Sequence, residues 1–294
     1  MKTQDGKNGS IKYAFGKNSE GFMTENCTIL HPCFNYSSAN KGILRMHLPI
    51  AEKCNMKCRY CRSDASCSND CLSACFPGQA QYVLNPDEAF EKVKSLKSKN
   101  ERYKIFGVSG PGDPLANPFE LFKTIELIKS RYTDIEFCIS TNGIELTRYM
   151  QELLFYKIKY ITLTINTLRE KTAENIYEWC LAGKNILRGK EAARYILEKQ
   201  RQAIELLNQY DNIFVKINTV YIPQINSEEI EEIVGFVNEN NAYIYNLMPL
   251  IGINAEENAQ TKLKVSLLRE QFSKLTNVMT HCKQCRSDDI KSII

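Results

Sequence analysis

The 294-residue sequence has no run of about 18 or more apolar residues, so no segment is expected to span a membrane. Its segment 1–26 is polar, is rich in Gly and Ser, and lacks the apolar core of a secretory signal. We therefore expect a cytoplasmic protein with a flexible leader at 1–26. The 38 Lys and Arg residues form no stripe interleaved with aromatic residues, which argues against a nucleic-acid partner.

Cysteine, by contrast, is abundant, with twelve residues in the chain. Without a secretory signal a disulfide framework is not expected, which leaves metal ligation or catalysis. Cys180 is the exception, because it lies alone in the segment YEWCLAG and is interpreted as a small buried apolar residue. The other cysteines cluster, and several fall in a Cys-rich loop at Cys61–Gly78.

Six apolar segments rich in β-forming residues alternate with amphipathic segments of helical length. The predicted strands are Ile43–Ile50, Tyr103–Ser109, Asp134–Ser140, Lys159–Asn166, Asn212–Val220 and Ala242–Met248. The predicted helices are Pro86–Leu96, Pro118–Ser130, Lys190–Asn208 and Ser227–Asn238, with Pro118 and Ser227 as start signals. The alternation predicts an α/β fold, a partial TIM-like (β/α)6 barrel with its active site at the carboxyl ends of parallel strands.

The central motif is CNMKCRYC, which follows the first predicted strand and contains Cys54, Cys58 and Cys61. Cysteine thiolates hold iron–sulfur clusters, and three thiolates on a four-iron cluster leave one iron open. An open metal position binds substrate, and the amino and carboxylate groups of S-adenosylmethionine (SAM) would chelate this iron. The spacing, with the aromatic Tyr60 beside the last Cys, resembles the radical SAM superfamily. A zinc site or a set of inert thiols is the alternative.

Polar and glycine residues follow or line the later predicted strands, where a bound nucleoside would need them. The segment VSGPGDP occupies the place of the superfamily's glycine-rich segment, which holds the methionyl amino group. The residues that we expect to bind SAM are Tyr60, Gly110, Gly112, Asp113, Ser140, Asn142, Thr162, Thr164, Asn166, Lys216, Ile217 and Asn218. Each of them has an ordinary alternative, as part of a βα turn or as a hydrogen-bonded core residue.

A second set of candidate metal ligands lies outside the motif. It consists of Cys27, His31, Cys33, Cys67, Cys138, Cys282 and Cys285, with Asp70 near Cys67. The pair in HCKQCR, taken alone, fits a zinc site, a redox pair or a cluster. The further cysteines favour auxiliary iron–sulfur clusters. His47 is interpreted as a strand residue rather than a ligand.

The sequence from His31 to Asp288 resembles the NifB family of nitrogenase-cofactor maturases. The matching segments are HPC, RMHLP, CNMKCRYC, GPGDPLANP, CISTNG, TLTIN, IYEW, KINTVYIP, NLMPL and HCKQCR. The segments GPGDPLANP and HCKQCR are far more specific than the superfamily motif. The resemblance implies a single radical SAM domain at 27–294, with Cys-bearing extensions at 27–42 and 276–294 that close the barrel mouth.

The resemblance also implies a chemistry and its ligands. The motif thiols would hold the radical 4Fe-4S cluster, and two auxiliary 4Fe-4S clusters would take their ligands from the second set. Catalytic roles would fall to Cys54, Cys58, Cys61, Cys67 and Asp70. The product would be an eight-iron nitrogenase-cofactor precursor with a SAM-derived carbide, made by fusing two four-iron clusters. The implied partners are a four-iron cluster donor, a cofactor scaffold or carrier, and a reductant such as ferredoxin or flavodoxin.

Two alternatives compete with this interpretation. One is a radical SAM enzyme that acts on a peptide or a small organic substrate and uses auxiliary clusters for electron transfer. The other is an iron–sulfur storage or scaffold protein without enzymatic activity. GPGDPLANP favours the maturase, and the strand-linked CNMKCRYC argues against a scaffold. Cys71 and Cys75, in the Cys-rich loop, are extra thiols that the family does not lead us to expect.

Overall fold

The computed structural model describes residues 29–35, 42–61, 78–252, 254–288 and 290–291. Several of the predicted site residues lie outside the described residues, and their roles stay predictions. They are Cys27, Cys67 and Asp70, and the extra thiols Cys71 and Cys75 lie outside the described residues too. The predicted leader at 1–26 also lies outside the described residues.

The strands of the described residues form two sheets. In chain order they are β1 (Leu44–His47), β2 (Met56–Cys58), β3 (Tyr103–Val108), β4 (Glu136–Thr141), β5 (Tyr160–Thr164), β6 (Tyr177–Ala182), β7 (Asn185–Arg188), β8 (Phe214–Tyr221), β9 (Ile244–Pro249) and β10 (Ile290–Lys291). Strands β1, β3, β4, β5, β8 and β9 are parallel neighbours in that order, and β10 is antiparallel to β1 at the edge of the sheet. This confirms the predicted partial barrel of six parallel strands.

Helices connect the barrel strands. They are α1 (Pro86–Lys99), α2 (Pro118–Arg131), α3 (Met150–Phe155), α4 (Glu170–Ile176), α5 (Gly189–Leu207), α6 (Ile230–Glu239) and α7 (Ala255–Phe272). In α1 the Asn85 side chain accepts from the Glu88 amide while the Glu88 carboxylate accepts from the Asn85 amide, a capping box that fixes the helix start. None of the helices in the described part of the chain is both long and apolar enough to cross a membrane.

The start of α6 differs from the prediction. The helix begins at Ile230 rather than at Ser227, and Glu229 is its N-cap. The carboxylate of Glu229 is buried and accepts hydrogen bonds from the hydroxyls of Thr167 and Thr172. Contacts with a distant segment therefore fix this helix start, and local sequence signals do not reveal them.

A small antiparallel sheet beside the barrel was not predicted. Its order is β2-β6-β7, and β2 pairs with β6 at Met56↔Cys180 and Lys57↔Trp179. Cys180 is fully buried and outside the main cavity, which confirms its interpretation as a small core residue. The sheet places the backbone of the central Cys motif against a rigid hairpin.

The N-terminal and C-terminal segments close two sides of the barrel. In the first, the Leu30 amide donates to the Tyr160 hydroxyl, and the Phe34 ring packs against Tyr160 at the amino ends of the strands. In the second, Val278 forms a bridge with Tyr245 of β9, and β10 then pairs with β1. The segment from 278 to 291 therefore links the two outer strands of the parallel sheet, and both extensions carry cysteines into the barrel.

Candidate functional site

One cavity, which extends from the carboxyl ends of the strands into the barrel, contains most of the predicted site residues. Its volume is about 300 Å³, at the lower end of the range for small-molecule pockets (roughly 300–1,000 Å³). The predicted residues that line it are His31, Cys33, Cys54, Cys58, Tyr60, Cys61, Gly112, Asp113, Cys138, Ser140, Asn142, Thr162, Thr164, Lys216, Asn218, Cys282 and Cys285. Residues far apart in sequence therefore meet at one site.

The three motif thiols lie at one end of this cavity. Cys54 follows β1, Cys58 ends β2, and the Cys61 amide donates to the Cys58 carbonyl at 2.9 Å in the turn that follows. All three are free of disulfides. Pairing of β2 with β6 therefore fixes the backbone from which these thiols enter the cavity.

Burial disfavours the charged thiolate form of two motif cysteines, Cys54 and Cys58, in the metal-free protein. Burial raises the pKa of Cys54 to about 12, and the nearby charge of Asp113 adds to the rise. The pKa of Cys58 also lies well above its usual value, because of burial and then the neighbouring charges of Cys61 and Cys54. Clustered thiolates need a positive centre to compensate their charge, and an iron–sulfur cluster supplies one. The residues present therefore fit the three-thiolate cluster implied by the motif.

The segment GPGDPLANP holds the loop that precedes Cys54. The Gly112 amide donates to the Ala51 carbonyl at 2.6 Å, and the Asp113 amide donates to the Lys53 carbonyl at 2.9 Å. The Asn117 side chain contacts Lys53 twice, accepting from its amide at 3.0 Å and donating to its carbonyl at 2.7 Å. The conformation of the loop that presents Cys54 therefore depends on this segment.

Other protein atoms leave no room for a side chain at Gly110 and Gly112. A Cβ on Gly112 would lie 2.1 Å from the Lys53 carbonyl oxygen. A Cβ on Gly110 would lie 2.5 Å from Ser287 Oγ and 2.6 Å from the Gly78 carbonyl oxygen. Gly110 also lies outside the cavity lining, which differs from its predicted contact with SAM.

Asp113 joins the ends of β3 and β4. It is buried, and its carboxylate accepts from Thr141 Oγ1 at 2.9 and 3.0 Å, from the Asn142 amide at 2.7 Å and from the Leu115 amide at 2.9 Å. Burial raises its pKa despite these bonds. Both carboxylate oxygens accept hydrogen bonds from the protein, which hold Asp113 in the cavity wall, and its contact with SAM stays a prediction.

Two further residues predicted to contact SAM, Asn166 and Ile217, do not line the cavity. Asn166 is buried, donates to the Tyr60 hydroxyl at 2.8 Å and accepts from the Val220 amide at 2.9 Å. Ile217 is fully buried in the core because side chains alternate along β8, and its neighbours Lys216 and Asn218 face the cavity instead. Asn166 therefore supports Tyr60, and Ile217 serves packing.

Four other thiols enter the same cavity from three separate parts of the chain. They are Cys33 in the N-terminal segment, Cys138 in β4, and Cys282 and Cys285 in the C-terminal segment. Burial raises the pKa of Cys138 to about 11, against the opposing charges of Arg45 and Lys216. The motif thiols and these four thiols thus line one cavity.

His31 is the described histidine that was predicted as a ligand. Its Nδ1 accepts from the Cys33 amide at 3.1 Å, whereas its buried Nε2 has no hydrogen-bond partner among the described residues. Burial, followed by the charges of Arg45 and Lys216, holds its pKa well below the usual value. The Nε2 atom is therefore available to an occupant of the cavity.

Several residues of the lining were not predicted. His47 lies in β1, as its interpretation as a strand residue requires, and its Nδ1 is 2.9 Å from Ser109 Oγ. Arg45 donates to the Cys33 and Cys285 sulfurs, and Asn246 donates to Cys282 Sγ at 3.4 Å. A sequence signal exists only for Arg45, since a permanently charged residue in an apolar strand needs a partner.

No group of three or more His, Cys, Asp or Glu side chains among the described residues converges in the manner of ligands of a single ion.

Comparison with known proteins identifies the family. A family model for the radical SAM superfamily matches residues 48–237. FeMo cofactor biosynthesis protein NifB of Methanocaldococcus infernus is 35% identical over 262 residues, which cover 88% of this chain and 84% of that protein. The chain belongs to the NifB family of the radical SAM superfamily. Membership of this superfamily implies a 4Fe-4S cluster and SAM as cofactors.

Other relatives of the NifB family are longer. The NifB proteins of Bradyrhizobium diazoefficiens and Klebsiella pneumoniae are each 34% identical, over 88% of this chain but only 52% and 56% of their own lengths. The chain therefore spans about half the length of these two relatives.

Solved structures agree on the fold. anSMEcpe with bound AdoMet has a TM-score of 0.56 at 14% identity, covering 80% of this chain and 63% of that one. A radical SAM methyltransferase from Sphaerobacter thermophilus has a TM-score of 0.50 at 12% identity, covering 80% and 64%.

Proposed function

We propose that this chain is a maturase of nitrogenase-cofactor biosynthesis that inserts a SAM-derived carbon as carbide. In doing so it fuses two four-iron clusters, its substrates, into an eight-iron precursor. One observation carries the proposal: Cys33, Cys138, Cys282 and Cys285 enter the same cavity as the motif thiols. The identity to NifB proteins supports it.

Cys54, Cys58 and Cys61 would hold the resident radical cluster. When bound, this cluster would supply the electron that cleaves SAM reductively. The protein's part is to position the loop that carries Cys54, through Gly112, Asp113 and the β2–β6 pairing. A fixed loop matters because small displacements of a reacting group slow chemistry steeply.

Cavity-facing side chains on β4, β5 and β8 would bind SAM. Ser140 lies near the end of β4 and Asn142 directly follows that strand, Thr162 and Thr164 alternate along β5, and Asn218 lies on β8. Their hydroxyl and amide groups can donate to and accept from ribose, carboxylate and adenine groups. The side chain of Asn142 is already oriented, because its side-chain amide donates to Asn55 Oδ1 at 2.6 Å.

The four further thiols would hold the two substrate clusters, together with His31. Cys27 and Cys67, which lie outside the described residues, would complete the ligand set, and Asp70 would ligate or relay a proton. The cavity lining is cationic, with Arg45, Lys216 and Lys283 among the described residues, which suits clusters held by thiolates.

The proposed partners follow from this chemistry. A four-iron cluster donor would load the substrate sites, and a scaffold or carrier protein would take the product. A low-potential reductant such as ferredoxin or flavodoxin would supply electrons. The reaction would be of the lyase and methyltransferase type, in the cytoplasm.

Analysis of SAM products tests the proposal. The full chain is reconstituted anaerobically with iron and sulfide, reduced with dithionite, and given SAM labelled with ¹³C in its methyl group. We expect both S-adenosylhomocysteine and 5′-deoxyadenosine, with label retained in acid-labile iron–sulfur material. The double variant Cys282→Ala/Cys285→Ala should lose label retention, whereas Cys180→Ala, a buried cysteine outside the cavity, should keep it.

The outcomes separate the competing functions. 5′-Deoxyadenosine without S-adenosylhomocysteine or retained label would contradict the maturase and favour a radical enzyme with an organic substrate. No cleavage of SAM by the reconstituted chain would favour a scaffold.

A further inference from the structure

Arg45 lies in the middle of β1 and contacts two thiols from opposite ends of the chain. Its Nη1 donates to Cys33 Sγ at 2.7 Å, and its Nη2 donates to Cys285 Sγ at 3.0 Å. One planar guanidinium therefore joins the N-terminal segment, the first barrel strand and the C-terminal segment. The two sulfurs can therefore be no farther apart than the separation of Nη1 and Nη2 plus the lengths of the two hydrogen bonds.

The partners of Arg45 are unusual for a buried guanidinium. Arg45 is 7% exposed and forms no salt bridge with a carboxylate among the described residues. The one described carboxylate in the cavity lining, Asp113, is occupied by Thr141 and backbone amides. A buried, permanently charged group is costly unless its charge is compensated. The hydrogen-bond partners of this guanidinium in the described residues are two sulfur atoms, which would carry negative charge as ligands of a cluster.

The C-terminal segment is fixed near Arg45 by contacts of its own. The Cys285 carbonyl accepts from the Gly78 amide at 3.1 Å, and the Ser287 hydroxyl donates to the Gly78 carbonyl at 2.7 Å. His281 Nε2 lies 2.9 Å from the Pro32 carbonyl, which joins this segment to the one that carries Cys33. Hydrogen bonds therefore hold both segments that carry the two thiols near the guanidinium.

We propose that Arg45 is a positioning residue for an anionic iron–sulfur centre, holding the Cys33 and Cys285 sulfurs in place and donating N–H···S bonds to them in the loaded protein. The inference rests on the proposed function, in which these cysteines hold substrate clusters. It also explains the arginine of the RMHLP segment. Lysine at this position keeps the charge but cannot contact two sulfurs as a fork.

Two measurable consequences follow for the loaded protein. Hydrogen bonds to cluster sulfurs help set the reduction potential, and donors to sulfur stabilise the reduced, more negative state. Groups that orient metal ligands typically change metal affinity roughly 10–100-fold when removed. Loss of Arg45 should therefore weaken cluster retention and lower the potential of the auxiliary centre.

The test compares Arg45→Met, Arg45→Lys and Lys216→Met in the anaerobically reconstituted full chain. Lys216 is a matched control because it is a buried cation of the same cavity that makes no hydrogen bond to a sulfur among the described residues. Iron loss to a chelator and an EPR redox titration are measured, and circular dichroism checks folding. If Arg45→Met does not fold, the comparison of Arg45→Lys with the wild type tests the inference.

We expect Arg45→Met to lose auxiliary iron about 10–100 times more readily than the wild type and to titrate at lower potential. The iron retention and the potential of Arg45→Lys should lie between those of the wild type and Arg45→Met. Lys216→Met should change iron retention less than Arg45→Met does. Unchanged retention and potential in the Arg45 variants, with about twelve irons in the wild type, would overturn this inference alone. About four irons in the wild type would instead contradict the proposed function.

Discussion

The backbone of Gly112 lies against the carbonyl of Lys53 so closely that a Cβ would come within 2.1 Å of the oxygen. Lys53 directly precedes Cys54, and the Asp113 amide bonds to the same carbonyl. This contact couples the loop after β3 to the first cysteine of the motif. The glycine is therefore a requirement of the protein's own packing.

Gly112→Ala should destabilise the protein and impair the radical cluster. Backbone must shift to admit the methyl group, so we expect a loss of about 1–3 kcal/mol in the free energy of unfolding, measured by urea denaturation. Gly235→Ala is the matched control, because Gly235 lies inside α6 with nothing within 4 Å of a Cβ. That change should stabilise by roughly 0.5–1 kcal/mol. Equal free energies of unfolding for Gly112→Ala and Gly235→Ala would contradict the close contact between Gly112 and the Lys53 carbonyl.

Alkylation of the metal-free protein should show the pKa values of the buried thiols. Because the pKa values of Cys54 and Cys138 are raised to about 12 and about 11, the reactive thiolate is scarce at neutral pH. Their iodoacetamide rates should keep rising about tenfold per pH unit beyond pH 9, whereas in urea they should level off above the usual value of about 8.5. Site-resolved mass spectrometry measures both. A native profile that levels off near 8.5 would count against the burial argument.

The stability of the metal-free protein should fall as pH drops below 6.5. All three histidines, His31, His47 and His281, have pKa values lowered chiefly by burial. The unfolded chain binds protons near its usual pKa of about 6.5, and the folded chain does not, so acid favours unfolding. Each histidine contributes at most about 1.4 kcal/mol per pH unit.

Urea denaturation at pH 7.5, 6.5 and 5.5 measures this slope, and His47→Gln should reduce it. His47 is buried, and the largest cause of its lowered pKa is burial, followed by Arg45 and Lys216. A variant slope equal to that of the wild type would show that His47 takes up its proton in the folded state.

The barrel could be predicted from the sequence because segments rich in apolar, β-forming residues alternate with amphipathic segments of helical length. Strand β2 could not, because its three residues become a strand only by pairing with β6. Helix α7 was missed because its apolar residues do not share one face. Val265 and Phe272 are buried, whereas Leu263 and Leu267 are exposed.

The site was predictable to the extent that residue type reveals chemistry. The thiols of CNMKCRYC and HCKQCR meet in the cavity, as their clustering suggested. Local sequence could not show that the nearest neighbour of Gly112 is protein backbone, or that the Asp113 oxygens are taken by Thr141 and backbone amides. The contact of Asn246 with Cys282 could not be predicted either, because it depends on where the C-terminal segment crosses β9.

Iron content tests the central claim that one cavity holds a radical cluster and two substrate clusters. Iron per chain is counted after anaerobic reconstitution and desalting, for the wild type, Cys138→Ala, Cys282→Ala/Cys285→Ala and Cys180→Ala. We predict about twelve irons in the wild type and in Cys180→Ala, and about four to eight in the other two. About four irons in the wild type, or a count unaffected by loss of Cys138, Cys282 and Cys285, would contradict the account.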